Sequence, residues 1–145
     1  MSKSDAFEND LIKLIFTNAD AANIGDATGV RGSTAAGSLY FSLHTADPGE
    51  AGNQSTSEAA YTGYARKGLA RNGTNFTVSG NQVTLAANLD FDACTAGTAT
   101  VTHFGIGTAN SGAGKLLYSG TVTPNINVSN GVTPRLTTST TVTED

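Results

Sequence analysis

The spacing of apolar residues changes near Leu39, and that change restricts most of the chain to extended structure. Before it, Phe7, Leu11, Leu14 and Ile15 recur at i, i+4, i+7 and i+8, and Ile12 and Phe16 widen the stripe. That pattern predicts one helix over Ser4 to Asn18, capped by Ser4 or Asp5, with capping-box spacing between Asp5 and Glu8. After it, Leu39, Phe41 and Leu43 alternate with Tyr40, Ser42 and His44, as in a strand with one buried face. Val83, Leu85, Ala87, Leu89 and Phe91 repeat the alternation, so Gln82 to Phe91 reads as a strand paired with Asn75 to Ser79 across a Gly80-Asn81 turn.

Further strands are predicted at Tyr64 to Arg71, Thr98 to Gly107, Lys115 to Thr123, Asn125 to Val128 and Val132 to Thr143. About seven or eight short strands with turns between them, and no interleaved helices, indicate a sandwich or jelly roll. Composition agrees. Threonine is the commonest residue, and Thr with Gly suits strands and tight turns. The predicted fold is mainly β: a single-domain antiparallel β-sandwich, jelly-roll-like, with one short N-terminal α-helix. Residues 1–37 form the helix and an extended arm, and residues 38–145 form the sandwich. Two long loops are expected, Ala19 to Ser38 and Ala46 to Gly63, and loops of such length tend to contact something.

Only 14% of the 145 residues are charged, against about a quarter in typical domains, and the net charge is −4. Arg66, Lys67 and Arg71 make the one basic cluster, read as solvated strand residues and too sparse for a nucleic-acid face. Cys94 stands alone, which excludes an internal disulfide and a Cys-rich zinc site. Acids interrupt the N-terminal apolar run, so no secretory leader is expected. No run approaches the roughly 18 apolar residues of a membrane span.

The segment "SLHTADPGE" holds His44, Asp47 and Glu50, residue types that serve metal sites and acid–base pairs. Parity places His44 opposite to Leu39, Phe41 and Leu43, facing away from the core. Asp47 precedes Pro48-Gly49, where a carboxylate accepts from turn amides. "GTANSGAGKL" fails as a phosphate loop: Ala113 stands where Lys is needed, and a strand rather than a helix follows Lys115. There is no Gly-x-Ser-x-Gly elbow. Asp90 and Asp92 share a strand face, but a chain without Trp lacks the platforms of a sugar-cleaving cleft.

Taken together, "DAFENDLIKLIF", "GSLYFSLHTADPGEAG", "SEAAYTGYAR", "VTHFGIGTA" and "GAGKLLYSG" resemble a family of small tailed-bacteriophage virion proteins. The resemblance spans nearly the whole chain. It implies a non-enzymatic building block located in the virion, with no catalytic motif to transfer. The expected role is a capsid decoration or cement protein, with copies of itself and the major capsid protein as partners. Alternatives are a tail fibre, a neck adaptor or a carbohydrate-binding sandwich. No cofactor, metal, nucleic acid, membrane or small-molecule substrate is expected. The expected interface comprises Phe7, Leu11, Leu14, Ile15, Arg31, His44, Asp47, Glu50, Tyr61, Tyr64 and Arg66. The helix stripe and the arm from Asn23 to Gly37 would contact other subunits. Deleting Met1 to Thr17 is expected to spare the sandwich.

Overall fold

The computed structural model describes residues 2–145, and its chain is mainly β with one helix and antiparallel pairings throughout the registers resolved. Helix α1 spans Asp5–Thr17, with Ser4 as N-cap accepting from the Phe7 amide and Asn18 as a left-handed C-cap. The strands are β1 (Ser38–His44), β2 (Lys67–Ala70), β3 (Phe76–Ser79), β4 (Gln82–Leu85), β5 (Leu89–Asp90), β6 (Ala99–Gly107), β7 (Leu116–Val128), β8 (Arg135–Leu136) and β9 (Thr141–Thr143). They form three sheets, ordered β2-β1-β6-β7, β3-β4-β9 and β5-β8. These orders are compatible with the sandwich expectation.

The chain divides into two units. The first comprises Met1–Ser38, Ala70–Asn88 and Thr137–Asp145. Here α1 packs on β3 and β4. Glu8, Ile12 and Phe16, spaced four residues apart, are its buried stripe, and Phe16 meets Phe76 edge-on with ring centroids 5.2 Å apart. The stripe that packs is therefore rotated from the one that spacing picked out. Phe7 remains 41% exposed, and Leu11, Leu14 and Ile15 are half-buried. The helix covers β3 and β4, the face that deleting Met1 to Thr17 would expose.

No basic residue lies in the last turn of α1. Arg71 supplies the missing charge, donating to the carbonyls of Leu14, Ile15 and Ala36. A guanidinium there satisfies orphan carbonyls and opposes the negative end of the helix dipole. The arm folds back on the helix end. Asn18 exchanges two hydrogen bonds with the Ser33 backbone, Asp20 accepts from the Gly32 amide, and Ala21 bridges Val30.

The second unit comprises Leu39–Leu69 and Leu89–Leu136. In its sheet, β1 pairs with β6 in a register that sets Ser42 opposite Gly105 and His44 opposite His103. Leu39, Phe41 and Leu43 are buried on one face of β1, as alternation predicts. Two predicted strands are broken: Gln82 to Phe91 becomes β4 and β5, and Val132 to Thr143 becomes β8 and β9. Lys115 to Thr123 and Asn125 to Val128 are instead one strand, β7.

Candidate functional site

The second face of β1 is not solvated. Ser42 and His44 are both 0% exposed, which corrects the outward placement that parity suggested for His44. Chain segment 45–58 returns across that face. The Thr45 amide donates to the Ser57 carbonyl at 2.8 Å, the Ala59 amide donates to the Leu43 carbonyl at 2.8 Å, and His44 bridges Glu58. The His44 Nδ1 lies 2.8 Å from the Thr56 carbonyl and its Nε2 lies 2.8 Å from Ser42 Oγ. A carbonyl only accepts, so Nδ1 carries the proton and Nε2 accepts from the Ser42 hydroxyl. Burial holds the imidazole below its ordinary pKa, so it sits neutral with both nitrogens occupied. Gly105 is required beneath the pair: a Cβ there would stand 2.6 Å from Nε2 and 2.7 Å from Ser42 Oγ.

Beside the histidine lies an ion pair. Arg66 Nε and Nη2 donate to Glu58 Oε1 and Oε2, each at 2.7 Å, with side chains 3% and 18% exposed. The same guanidinium donates to the carbonyls of Ala109 at 3.0 Å and Gly112 at 2.7 Å. Glu58 Oε1 also accepts from Tyr64 Oη at 2.8 Å, and Tyr64 Oη accepts from the Leu43 amide at 3.0 Å. The hydrogen bond to Glu58 raises the Arg66 pKa, and burial above all raises that of Tyr64. Arg66 is therefore no solvated strand residue. Its neighbours in the basic cluster are also engaged, Lys67 with Asp92 at 2.7 Å and Arg71 with the helix carbonyls.

Gln54, 0% exposed, completes a bracket between segment 45–66 and the turn 108–115. Its backbone amide donates to the Ala113 carbonyl at 2.8 Å, its Oε1 accepts from the Ala109 amide at 2.9 Å, and its Nε2 donates to the Tyr40 carbonyl at 3.2 Å. Ser55 Oγ adds a bond to the Gly112 carbonyl. A Cβ at Gly107, the end of β6, or at Gly114 in the turn would come within 2.2 or 2.3 Å of the Gln54 side chain, so a side chain at either position has to displace Gln54. The stretch rejected as a phosphate loop is indeed a hairpin turn, closed by Thr108 and Lys115.

Other candidates fall in different places. Asp47 and Glu50 are exposed at a cleft of about 410 Å3 beside Leu116–Ser119, and Asp47 accepts from the Gly49 amide at 2.9 Å as its turn predicts. Tyr61 is buried, its hydroxyl donating to the Asp92 carbonyl, and desolvation pushes its pKa up to about 12. Arg31 is exposed and pairs with Asp20 at 3.1 Å. Asp90 and Asp92, the possible carboxylate pair, are held by different cations, Arg135 and Lys67. Among the described residues, no three His, Cys, Asp or Glu side chains are grouped to hold a metal ion, and no helix is long and apolar enough to cross a membrane.

Sequence reasoning did not find Gln54, Ser55 or Glu58. Glu58 carried the one usable signal, as a lone acid within an uncharged stretch that reaches from Ala51 to Ala65. The bracket consumes its own donors and acceptors. Its polar groups hold loops to one another. Residues 2–143 match the family described as podophage GP4 fiber I protein gp80, and the chain belongs to that family of phage virion structural proteins. The resemblance to phage virion proteins thus stands, although the family description names a fibre protein rather than a head decoration protein. No curated protein matches the chain.

Proposed function

We propose that the chain is a non-enzymatic building block of the phage virion that presents a pre-ordered loop surface to copies of itself and to a neighbouring virion protein. The observation that carries this reading is the buried bracket. Every side chain able to do acid–base work there is committed to an internal partner: His44 to Ser42 and Thr56, Glu58 to Arg66 and Tyr64. In the first unit Arg31 and Phe7 are exposed, and what is left at the surface of the second unit includes Asp47 and Glu50 among small residues. His44, Tyr64 and Arg66 support that surface from within. Tyr61 is enclosed, which disfavours a sugar-stacking platform.

Within the virion, the family description favours a place in a tail fibre. A cement role on the capsid, bound to the major capsid protein, has one observation of its own: the sequence carries neither repeats nor the pattern of a triple-stranded stem. Separating heads from tails of the purified virion and quantifying the protein in each by mass spectrometry decides between them. A few to a few dozen copies in the tail fraction establish the fibre. On the order of hundreds in the head fraction establish symmetry-distributed cement.

A further inference from the structure

The segment 45–58 that covers Ser42 and His44 is held almost without apolar contact. It contains no Val, Ile, Leu, Met or aromatic residue, and within it only Pro48 and Gln54 are buried. Such a segment opens at a lower free energy than the sheet beneath it, because little apolar surface resists its release. Its hold is polar instead, through the side chains of Gln54 and Glu58 and through the Thr56 carbonyl, which accepts from His44 Nδ1. Of the groups in this hold, His44 is the one whose ordinary titration falls near neutral pH.

We propose that His44 is an acid-sensitive latch, whose protonation releases segment 45–58, with its Asp47 and Glu50 surface, while the β1-β6 ladder stays closed. The ring has room for one proton. Nδ1–H faces the Thr56 carbonyl and Nε2 receives the Ser42 hydroxyl, so a second proton would set two donors against each other until that hydroxyl turns away. Nor is there a counter-ion for the charge. The titratable groups around the ring are Glu58, Tyr64 and Arg66 from the returning chain and His103 from β6. Arg66 is already a cation, and His103 could only add another. Glu58, the one anion, already accepts from Arg66 through both oxygens and from the Tyr64 hydroxyl. An imidazolium would therefore be a second buried cation beside Arg66, with no carboxylate of its own. Opening returns the ring to water, where its ordinary pKa is 6.5. Between that value and the lower one of the closed state, each unit fall in pH favours the open form about ten-fold. This latch rests on the reading of the loop as a displayed surface, but opening is measured on the isolated chain, so either can fail while the other stands.

The test is amide hydrogen exchange of the full chain by NMR at pH 7.5 and 5, corrected for the intrinsic pH dependence of exchange. The Thr45 and Gln54 amides, bonded to the Ser57 and Ala113 carbonyls, report on the segment. Their protection should fall about ten-fold or more on acidification, while the β1-β6 ladder amides remain at least about ten-fold better protected at both pH values. H103Q should show the same fall, and H44Q should show none. The ring protons of His44 in the unsubstituted chain give a reading that needs no variant: their titration should share its midpoint with the loss of protection. Protection at Thr45 and Gln54 that ignores pH overturns the latch. So do ladder amides that exchange as fast as the segment, a fall that persists in H44Q or disappears in H103Q, or midpoints that differ.

Discussion

Glu58 and Arg66, 8 residues apart on the returning chain, face each other through two parallel hydrogen bonds of 2.7 Å, with Arg66 almost wholly out of solvent. A guanidinium so placed could not remain without its carboxylate, because an unpaired buried charge is costly. It also could not be replaced by lysine, which lacks the planar fork that reaches Glu58, Ala109 and Gly112 together.

Truncating Arg66 to alanine should therefore destabilise the protein by about 3–5 kcal/mol, the usual cost of breaking one half of a buried pair. Arg66→Lys should recover only part of this. The exposed pair Asp90–Arg135 supplies the contrast, and Asp90→Asn should leave the urea midpoint unchanged. Equilibrium urea denaturation of the three variants reads all of these effects. Equal losses for Arg66→Ala and Asp90→Asn would show that the bracket is not a stability element.

His44 should make the protein acid-sensitive before its carboxylates do. Desolvation lowers its pKa in the folded state below the ordinary 6.5, while Glu58 and Thr56 oppose the shift and Arg66 and His103 reinforce it. The unfolded chain then binds the proton more readily. Its contribution to stability is complete above pH 6.5 and is lost as pH falls from there through the folded-state pKa. The lowered carboxyl of Asp90 acts only below its own ordinary value of 3.8. Melting temperature followed from pH 7.5 to 5 should fall in the wild type and stay level in His44→Gln. Parallel profiles would remove His44 as the cause.

Gly107→Ala should cost about 1–3 kcal/mol by overpacking, since the new methyl meets the Gln54 side chain and the Lys115 carbonyl. Gln54→Ala in the same chain should relieve part of that loss, a coupling that a double-mutant cycle in urea would measure. Strict additivity would mean that Gln54 does not dictate the glycine.

Phe7 lies outside the buried stripe of α1, so Phe7→Ser should leave the melting temperature within a degree or two. If the half-exposed helix side contacts other subunits, the same variant should enter virions several-fold less well than wild type in a complementation assay. Normal incorporation would exclude this side of the helix as a contact.

Much of the fold was legible from spacing. The helix bounds, its Ser4 cap and the Gly80-Asn81 hairpin depend on neighbours in sequence, and they appear where the residues place them. Parity misled at His44 for a definite reason. Alternation distinguishes two faces of a strand, but it assigns the polar one to water only when nothing covers it. The cover here is segment 45–58, whose path over Ser42 and His44 depends on Gly105 across the sheet and on partners far away in sequence. Arg66 misled for the same reason, because its acceptors at Ala109 and Gly112 lie 43 and 46 residues further along. The long strands failed where the chain changes sheets, after Leu85 and after Leu136, and no local signal marks those departures.

The bracket separates what the surface displays from what holds it in place. Gln54 and Arg66 grip the turn 108–115 mainly by its carbonyls and amides, which every residue type provides, while the side chains of Asn110 and Ser111 project outward. Those tips can change identity without disturbing the grip. A virion protein built this way can alter the partner it touches, one tip residue at a time, on an unchanged frame.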